Sequence, residues 1–454
     1  MPYKNQNGSK DGHVPFLKNP EISEFLQNCK YMRVPSEEEA KKISDEFIDI
    51  EPLGKLPENV IGSDGSCYSE PIQKFFPSTQ IGYVKISMVL IKLNQYQNLN
   101  CNRFVDPFEV AEFQKNSDSV TFALPGSNVI YKHTKNVKDG FRLAVYENYI
   151  DKKTGFSENS SLKNMLFYLN NLLDEPLLHV KMCPSCEREI NLVFDSFNKD
   201  IKQCDFCKKD IYFTDALRLH EAVSDFGSTT SSVTRFMNVT EHLLIASFVK
   251  MLFETQPELL SKTSFIIDGP LAIFGQSARV HSRLMKFYFE IKKRMKDKGL
   301  DFPVILGVQK TGVLVEHALS IAPFLKNRRI KLVDDTYRKK YITGFDNSVE
   351  NFGHETYYGQ DFIYKTKSGK IFVLNIPYPF AQKHDKKNFS KIKAKFEFYI
   401  PYLKKALNLI EALEYELYEN AIIPVALAHK HASISIIPGG KVLDIFTKLS
   451  LEKK

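Results

Sequence analysis

The pattern Cys183-x2-Cys186-x17-Cys204-x2-Cys207 constrains this chain more than any other feature. A Cys-x-x-Cys pair on a tight knuckle turns two thiolates toward one point. Two knuckles complete a tetrahedron around an ion of zinc's size and softness. Four thiolates leave no open position for water, so the expected Zn²⁺ is structural and staples a segment that lacks its own core. Four unrelated buried cysteines, or a redox role for each pair, are the competing readings. Cys29, Cys67 and Cys101 are scattered and odd in number. That is no disulfide framework, and it predicts a reducing, cytoplasmic setting.

A length of 454 residues predicts two or three units, and 43% apolar residues suffice for a core without disulfides. Trp is absent, but 35 Phe and 21 Tyr supply large side chains. Met1 to His13 is polar, without the apolar stretch of a secretory signal, and no uninterrupted apolar run reaches about 18 residues, so no membrane span is expected. The net charge of +8 permits a polyanionic partner. Three basic runs are more telling: Lys292, Lys293, Arg294, Lys296 and Lys298; then Lys326, Arg328, Arg329 and Lys331; then Arg338, Lys339 and Lys340. Each run alone reads as a solvated surface, but their closeness in the chain predicts a basic face that tracks phosphates.

Residues 1–58 read as a polar N-terminal lead-in with a helical pattern at 36–50. Val60 and Ile61 open a short strand that ends near Asp64-Gly65-Ser66, and 83–93 reads as the next strand. The stretch 131–161 has loop composition, and 162–174 is amphipathic. The Gly/Ser/Thr run 225–232 reads as a linker. A helix follows at 238–255, then a buried strand at 264–269 ending in Asp268-Gly269. Helix is expected at 280–298 and 398–419, and strand at 303–312 and 371–378. Short apolar strands alternating with helices predict an α/β fold.

Asp64 and Asp268 each end an apolar strand and precede Gly. Such positions suit Mg²⁺ or Mn²⁺, and two of them can hold the metal of a phosphodiester hydrolase. Asp-Gly is also a common turn dipeptide. Glu241 has two readings of equal weight: N3 of a capping box begun by Asn238, or a metal-binding glutamate beside the strands, with Glu254 as the fallback. His429, in an apolar run, reads as a structural residue or as a group that orients a phosphate or binds metal. Lys310, past a buried strand, reads as a phosphate partner or a solvated lysine. No Gly-rich phosphate loop or Walker motif is present, which argues against a phosphotransferase or an ATP-driven motor.

The segments Ile61-x-x-Asp64-Gly65-Ser66, Ile266-Ile267-Asp268-Gly269-Pro270-Leu271, Gly307-Val308-x-Lys310-Thr311 and Ala428-His429-x-x-Ala432 occur in an order that resembles the NurA nuclease family. The resemblance covers roughly 60–95 and 236–437. It implies an RNase H-like mixed sheet with flanking helices, divided as 59–101 and 236–454, with 102–235 inserted between them and carrying the ribbon at 183–207. It also implies a metal-dependent deoxyribonuclease that works with Mn²⁺ or Mg²⁺, a homodimer, and a partnership with a HerA-type hexameric ATPase in DNA end processing, repair or antiviral defence. By motif, Asp64 and Asp268 are metal ligands, Glu241 the helical glutamate and His429 a catalytic-site histidine. The family often has a Tyr where this chain has Ala421, and Tyr418 is out of register. That departure keeps a second expectation in play: an inactive zinc-ribbon subunit for DNA binding or assembly.

Overall fold

The structure, a computed structural model, describes residues 11–29, 33–73, 75–101, 117–158, 160–343, 352–383, 385–414 and 422–434, with Leu443, Thr447 and Ser450. Its strands are β1 (Ile48–Asp49), β2 (Asn59–Gln73), β3 (Phe76–Lys92), β4 (Ser117–Pro125), β5 (His179–Met182), β6 (Glu189–Val193), β7 (Ile201–Gln203), β8 (Asp210–Tyr212), β9 (Thr263–Asp268), β10 (Ile305–Gln309), β11 (Arg329–Leu332), β12 (Gly359–Lys365) and β13 (Ile371–Pro377). Nine of them form one mixed sheet in the order β1-β11-β12-β13-β10-β9-β2-β3-β4. Only β2–β9 and β9–β10 are parallel. The fold is mixed α/β, with helices on both faces of this sheet.

β9 and β10 are buried on both faces along nearly their whole length, as parallel strands are, with Phe265, Ile266 and Ile267 and then Ile305, Leu306 and Val308 as their apolar centres. The helix Thr230–Thr255 packs on one face of β2 and β3: Met237 lies against Gly65 and Val233 against Gly82. The helix Ile423–Ala432 packs on the other, with Pro424 against Gly62. Strand residues alternate between faces, so the odd and even positions of β2 look at different helices. The helix Thr230–Thr255 is long and apolar enough to cross a membrane, but 72% of its most apolar window is buried inside the protein. It serves as the core helix.

Several sequence expectations shift. The helix expected at 238–255 starts at Thr230, so Glu241 lies in its fourth turn and Asn238 is no cap. Asn238 instead accepts from the Phe274 amide. The loop-like stretch 131–161 contains the helix Val137–Ile150, capped by Asn136 and largely buried. The boundary expected at 102 does not divide the sheet, because β4 pairs with β3 from Ile81↔Pro125 to Val89↔Ser117. The lead-in contributes as well. The helix Glu37–Asp45, closed by a Ser36–Glu39 capping box, buries Ala40 and Ile43 with Leu314, Val315 and Ile321 in a second apolar cluster, and β1 forms the sheet edge.

Candidate active site and cysteine cluster

Parallel pairing builds the first site. β2 and β9 run in register from Asn59↔Thr263 to Ser63↔Ile267. The next pair in that register is Asp64 and Asp268, so two carboxylates 204 positions apart in sequence end side by side. Beyond Asp268 the chain must turn sharply; Gly269 does so at φ +104, a conformation side chains other than glycine's resist. On β10, Val308 pairs with Asp268, and Lys310 follows two residues later. Its Nζ lies 2.7 Å from Asp268 Oδ2. From the helix Ile423–Ala432, on the face of β2 that carries the Asp64 side chain, His429 Nδ1 comes within 2.6 Å of Asp64 Oδ2 while most of its ring stays in solvent.

One ligand atom each from Asp64, Asp268 and His429 lie within 4.8 Å of one another. Ligands on opposite sides of an octahedral Mg²⁺ or Mn²⁺ lie about 4.2 Å apart, so the enclosed space is of the order such a cation needs. The electrostatics also fit. Burial and the charge of Asp268 push the Asp64 carboxyl up to about 6, against the opposing pull of Lys310 and His429. Glu241, fully buried, is driven well above the usual carboxylate range by burial and then by Asp64. Crowded, partly desolvated carboxylates of this kind are strained without a cation. Opposite Asp64, the buried hydroxyl of Ser87 has no hydrogen-bond partner among the described residues.

The structure thus brings Asp64, Asp268, Lys310 and His429 together. Glu241 is close but lies beneath them, on the other face of β2. Its Oε1 accepts a hydrogen bond from the Ser63 hydroxyl at 2.9 Å, and its carboxylate crowds Gly65, where an added Cβ would meet Met237 at 2.9 Å and Glu241 at 3.3 Å. The close approach of the helix therefore explains the glycine after Asp64. Ser63 went unnoticed in the sequence, although its odd position beside Asp64 places it on the helix face. Glu254 does not fill the role of Glu241: it is roughly 20 Å farther along the same helix and pairs with Lys250 in solvent. Ala421 and Tyr418 lie outside the described residues.

Most cations of the second and third basic runs are paired with carboxylates and are not free to form the expected phosphate-tracking face. Lys331 and Lys340 bind Glu46, Arg329 binds Asp49, Arg328 binds Glu51 and Glu411, and Arg338 is buried against Asp361. These cations fasten the N-terminal segment and the sheet edge. Within the first run, Arg294 lies over the Phe253 ring, while Lys293, Lys296 and Lys298 are exposed on or just past the helix Val280–Asp297.

The second cluster is local. The hairpins β5–β6 and β7–β8 each carry one Cys-x-x-Cys knuckle of the same design. Glu187 and Lys208, one residue past the second cysteine of each, both sit at φ +58. The amides of Cys183 and Cys204 donate to the carbonyls of Arg188 and Lys209. Sγ atoms of Cys183 and Cys207, and of Cys186 and Cys204, are 3.7 Å apart. Tetrahedral Zn²⁺ with bonds of about 2.3 Å separates its sulfurs by about 3.8 Å, so the four thiols fit that ion closely. Arg142, buried on the helix Val137–Ile150, ties the cluster to the body. It grips both oxygens of Asp215 at 2.8 and 2.6 Å, the Asp210 carbonyl at 2.8 Å and the Ser185 hydroxyl, inside the first knuckle, at 3.1 Å.

No protein-family profile matches this chain, and no characterised protein matches it by sequence. Among solved structures, the crystal structure of the NurA nuclease from Sulfolobus solfataricus aligns over 98% of this chain and 96% of its own, with a TM-score of 0.36 and 8% identity. At that level of likeness, a case for activity rests on the site's own geometry.

Proposed function

We propose that the chain is a metal-dependent DNA nuclease of the NurA type, as the motif resemblance implies. The observation that carries this reading is the parallel register of β2 and β9, which sets Asp64 beside Asp268 with His429 closing a cation-sized space. Asp64, Asp268 and His429 would hold Mn²⁺ or Mg²⁺, and Glu241 would support the set from below. Bound there, the ion supplies a water of lowered pKa and neutralises charge on the phosphate. Asp64 orients the His429 ring through Nδ1, which leaves its other nitrogen as the one that would meet the ion. Lys310 offers an ammonium at the same edge. The cysteine cluster would hold one structural Zn²⁺. A homodimer acting with a HerA-type translocase on DNA ends in the cytoplasm completes the proposal, and it draws on the sequence resemblance alone.

A second reading is a nuclease fold retained as a DNA-binding or assembly subunit. The ion pair by which Lys310 already satisfies Asp268 favours it. The test is degradation of linear single- and double-stranded DNA with Mn²⁺, comparing wild type with Asp268→Ala, each with and without a HerA-like ATPase. Cleavage by wild type alone supports the enzyme. DNA binding without cleavage, unaffected by Asp268→Ala, supports the subunit.

A further inference from the structure

One face of the β2–β3 ladder continues past the carboxylates in a set order. Asp64 is opposite Ser87, Ser66 opposite Lys85, and Tyr68 opposite Tyr83. Alternate residues of a strand share a face, so these six side chains stand on the side from which His429 reaches Asp64. The helix Ile423–Ala432 crosses that face at the level of Gly62 and Asp64. Pro424 rests on Gly62, and His431 reaches Ser117 on β4, which pairs with Val89. Ser66, Lys85, Tyr68 and Tyr83 therefore lie beyond the helix and are half-exposed. The Tyr83 hydroxyl is 2.6 Å from Thr447 Oγ1, which fixes one ring of the pair.

Charge distinguishes this strip from the basic runs. Most cations of the second and third runs are bound to carboxylates, whereas Lys85 and Lys430 make no ion pair among the described residues. Lys430 is exposed on the helix beside His429. The strip thus presents, in sequence, a cation-sized carboxylate site, two ammonium groups without an ion pair among the described residues, and a pair of aromatic rings.

We infer that this strip is a binding track for single-stranded nucleic acid leading to the carboxylate site, with phosphates on Lys85 and Lys430 and bases on Tyr68 and Tyr83. The inference rests on the nuclease reading and deepens it by naming the substrate's strandedness and the residues that hold it. An electrostatic groove with aromatic platforms binds without sequence preference, because every base has a stacking face and every nucleotide a phosphate. A duplex keeps its bases stacked inward and cannot use the tyrosine pair.

The test is fluorescence anisotropy of a labelled oligothymidylate with the full-length zinc-loaded protein, over a KCl series with no Mn²⁺ or Mg²⁺ added, so that no cleavage intervenes. Lys85→Gln and Lys430→Gln are each expected to lower the slope of log K against log salt by about 0.7. Tyr68→Ala should weaken binding on the order of tenfold at an unchanged slope, and Tyr68→Phe should restore it. Lys293→Gln, on the exposed face of a different helix, should change neither. Wild-type affinity and slope in all the strip variants would overturn the track; if Asp268-dependent cleavage persists in that case, the nuclease reading stands without it. A wild type that neither binds the oligonucleotide nor cleaves DNA would overturn both.

Discussion

The cysteine cluster and the carboxylate site are both groups of ligand atoms gathered around a space for an ion, yet they are assembled by opposite means. The four cysteines fall within 25 positions, and two copies of one local turn aim them. The set is closed, with every ligand of one kind. The carboxylate site collects Asp64, Asp268, Lys310 and His429 from two parallel strands, a strand end and a late helix, and remains open to solvent at His429. Its carboxyls also repel one another. A closed site of this kind stabilises the fold, whereas an open, electrostatically strained one leaves room for chemistry. The charge of the cysteine segment agrees with a structural role: across 179–212 six basic and six acidic side chains balance, so it carries no net positive charge toward DNA.

Four perturbations break or sharpen this contrast, in descending order of effect. Removing a thiolate with Cys204→Ser should abolish bound zinc, from one ion per chain to none by elemental analysis. The binding energy at stake is on the order of 10 kcal/mol, and proteolysis should then cut within 179–212. Asp268→Asn should lower Mn²⁺-dependent DNA cleavage on the order of a thousandfold or more, with zinc content and melting temperature retained; a matching loss of zinc would erase the distinction between the sites. Arg142→Met should destabilise the protein by roughly 3–5 kcal/mol in chemical denaturation, because Asp215 would be left buried without its partner, while zinc stays bound.

The smallest effect concerns pH. The Asp64 carboxyl is raised to about 6, so the metal-free folded protein binds this proton more tightly than the unfolded chain does. Stability from this group is present below the unfolded value of about 4 and is lost as pH rises through about 6. Asp64→Asn should therefore raise the melting temperature of metal-free protein at pH 8, by on the order of 1–3 kcal/mol of stability, and the gain should fade toward pH 4. Saturating Mn²⁺ should reverse the ranking, because wild type alone then has both carboxylates to offer the ion.

The same contrast explains what the sequence disclosed. The Cys spacing is a local signal, and the thiols converge as their spacing predicts. Asp268 was legible as a strand-end carboxylate before glycine, but Asp64, expected at the end of a short strand, lies inside β2, which runs on to Gln73. The adjacency of the two depends on parallel pairing between segments some 200 residues apart, which no local pattern encodes. The capping reading of Glu241 fails because the start of its helix, Thr230 to Asn238, resembles a linker followed by a cap. The helix Val137–Ile150 was hidden by its charged flanks; its buried Arg142 and Gly140 look like loop residues until Asp215 and the packing around Tyr131 are in place. The basic runs misled for a related reason. Their acidic partners, Glu46, Asp49 and Glu51, lie about 280 residues earlier, so charge that looks free in sequence is neutralised by the fold.

The most direct measurement is an anomalous difference map from crystals of the full-length chain soaked in Mn²⁺, recorded at wavelengths that separate manganese from zinc. The account predicts a zinc peak among Cys183, Cys186, Cys204 and Cys207, and a manganese peak among Asp64, Asp268 and His429, with Lys310 drawn away from Asp268. Zinc at the cysteines but no manganese at the carboxylates, with the Lys310–Asp268 pair intact, would contradict the claim that this is a metal-dependent nuclease site.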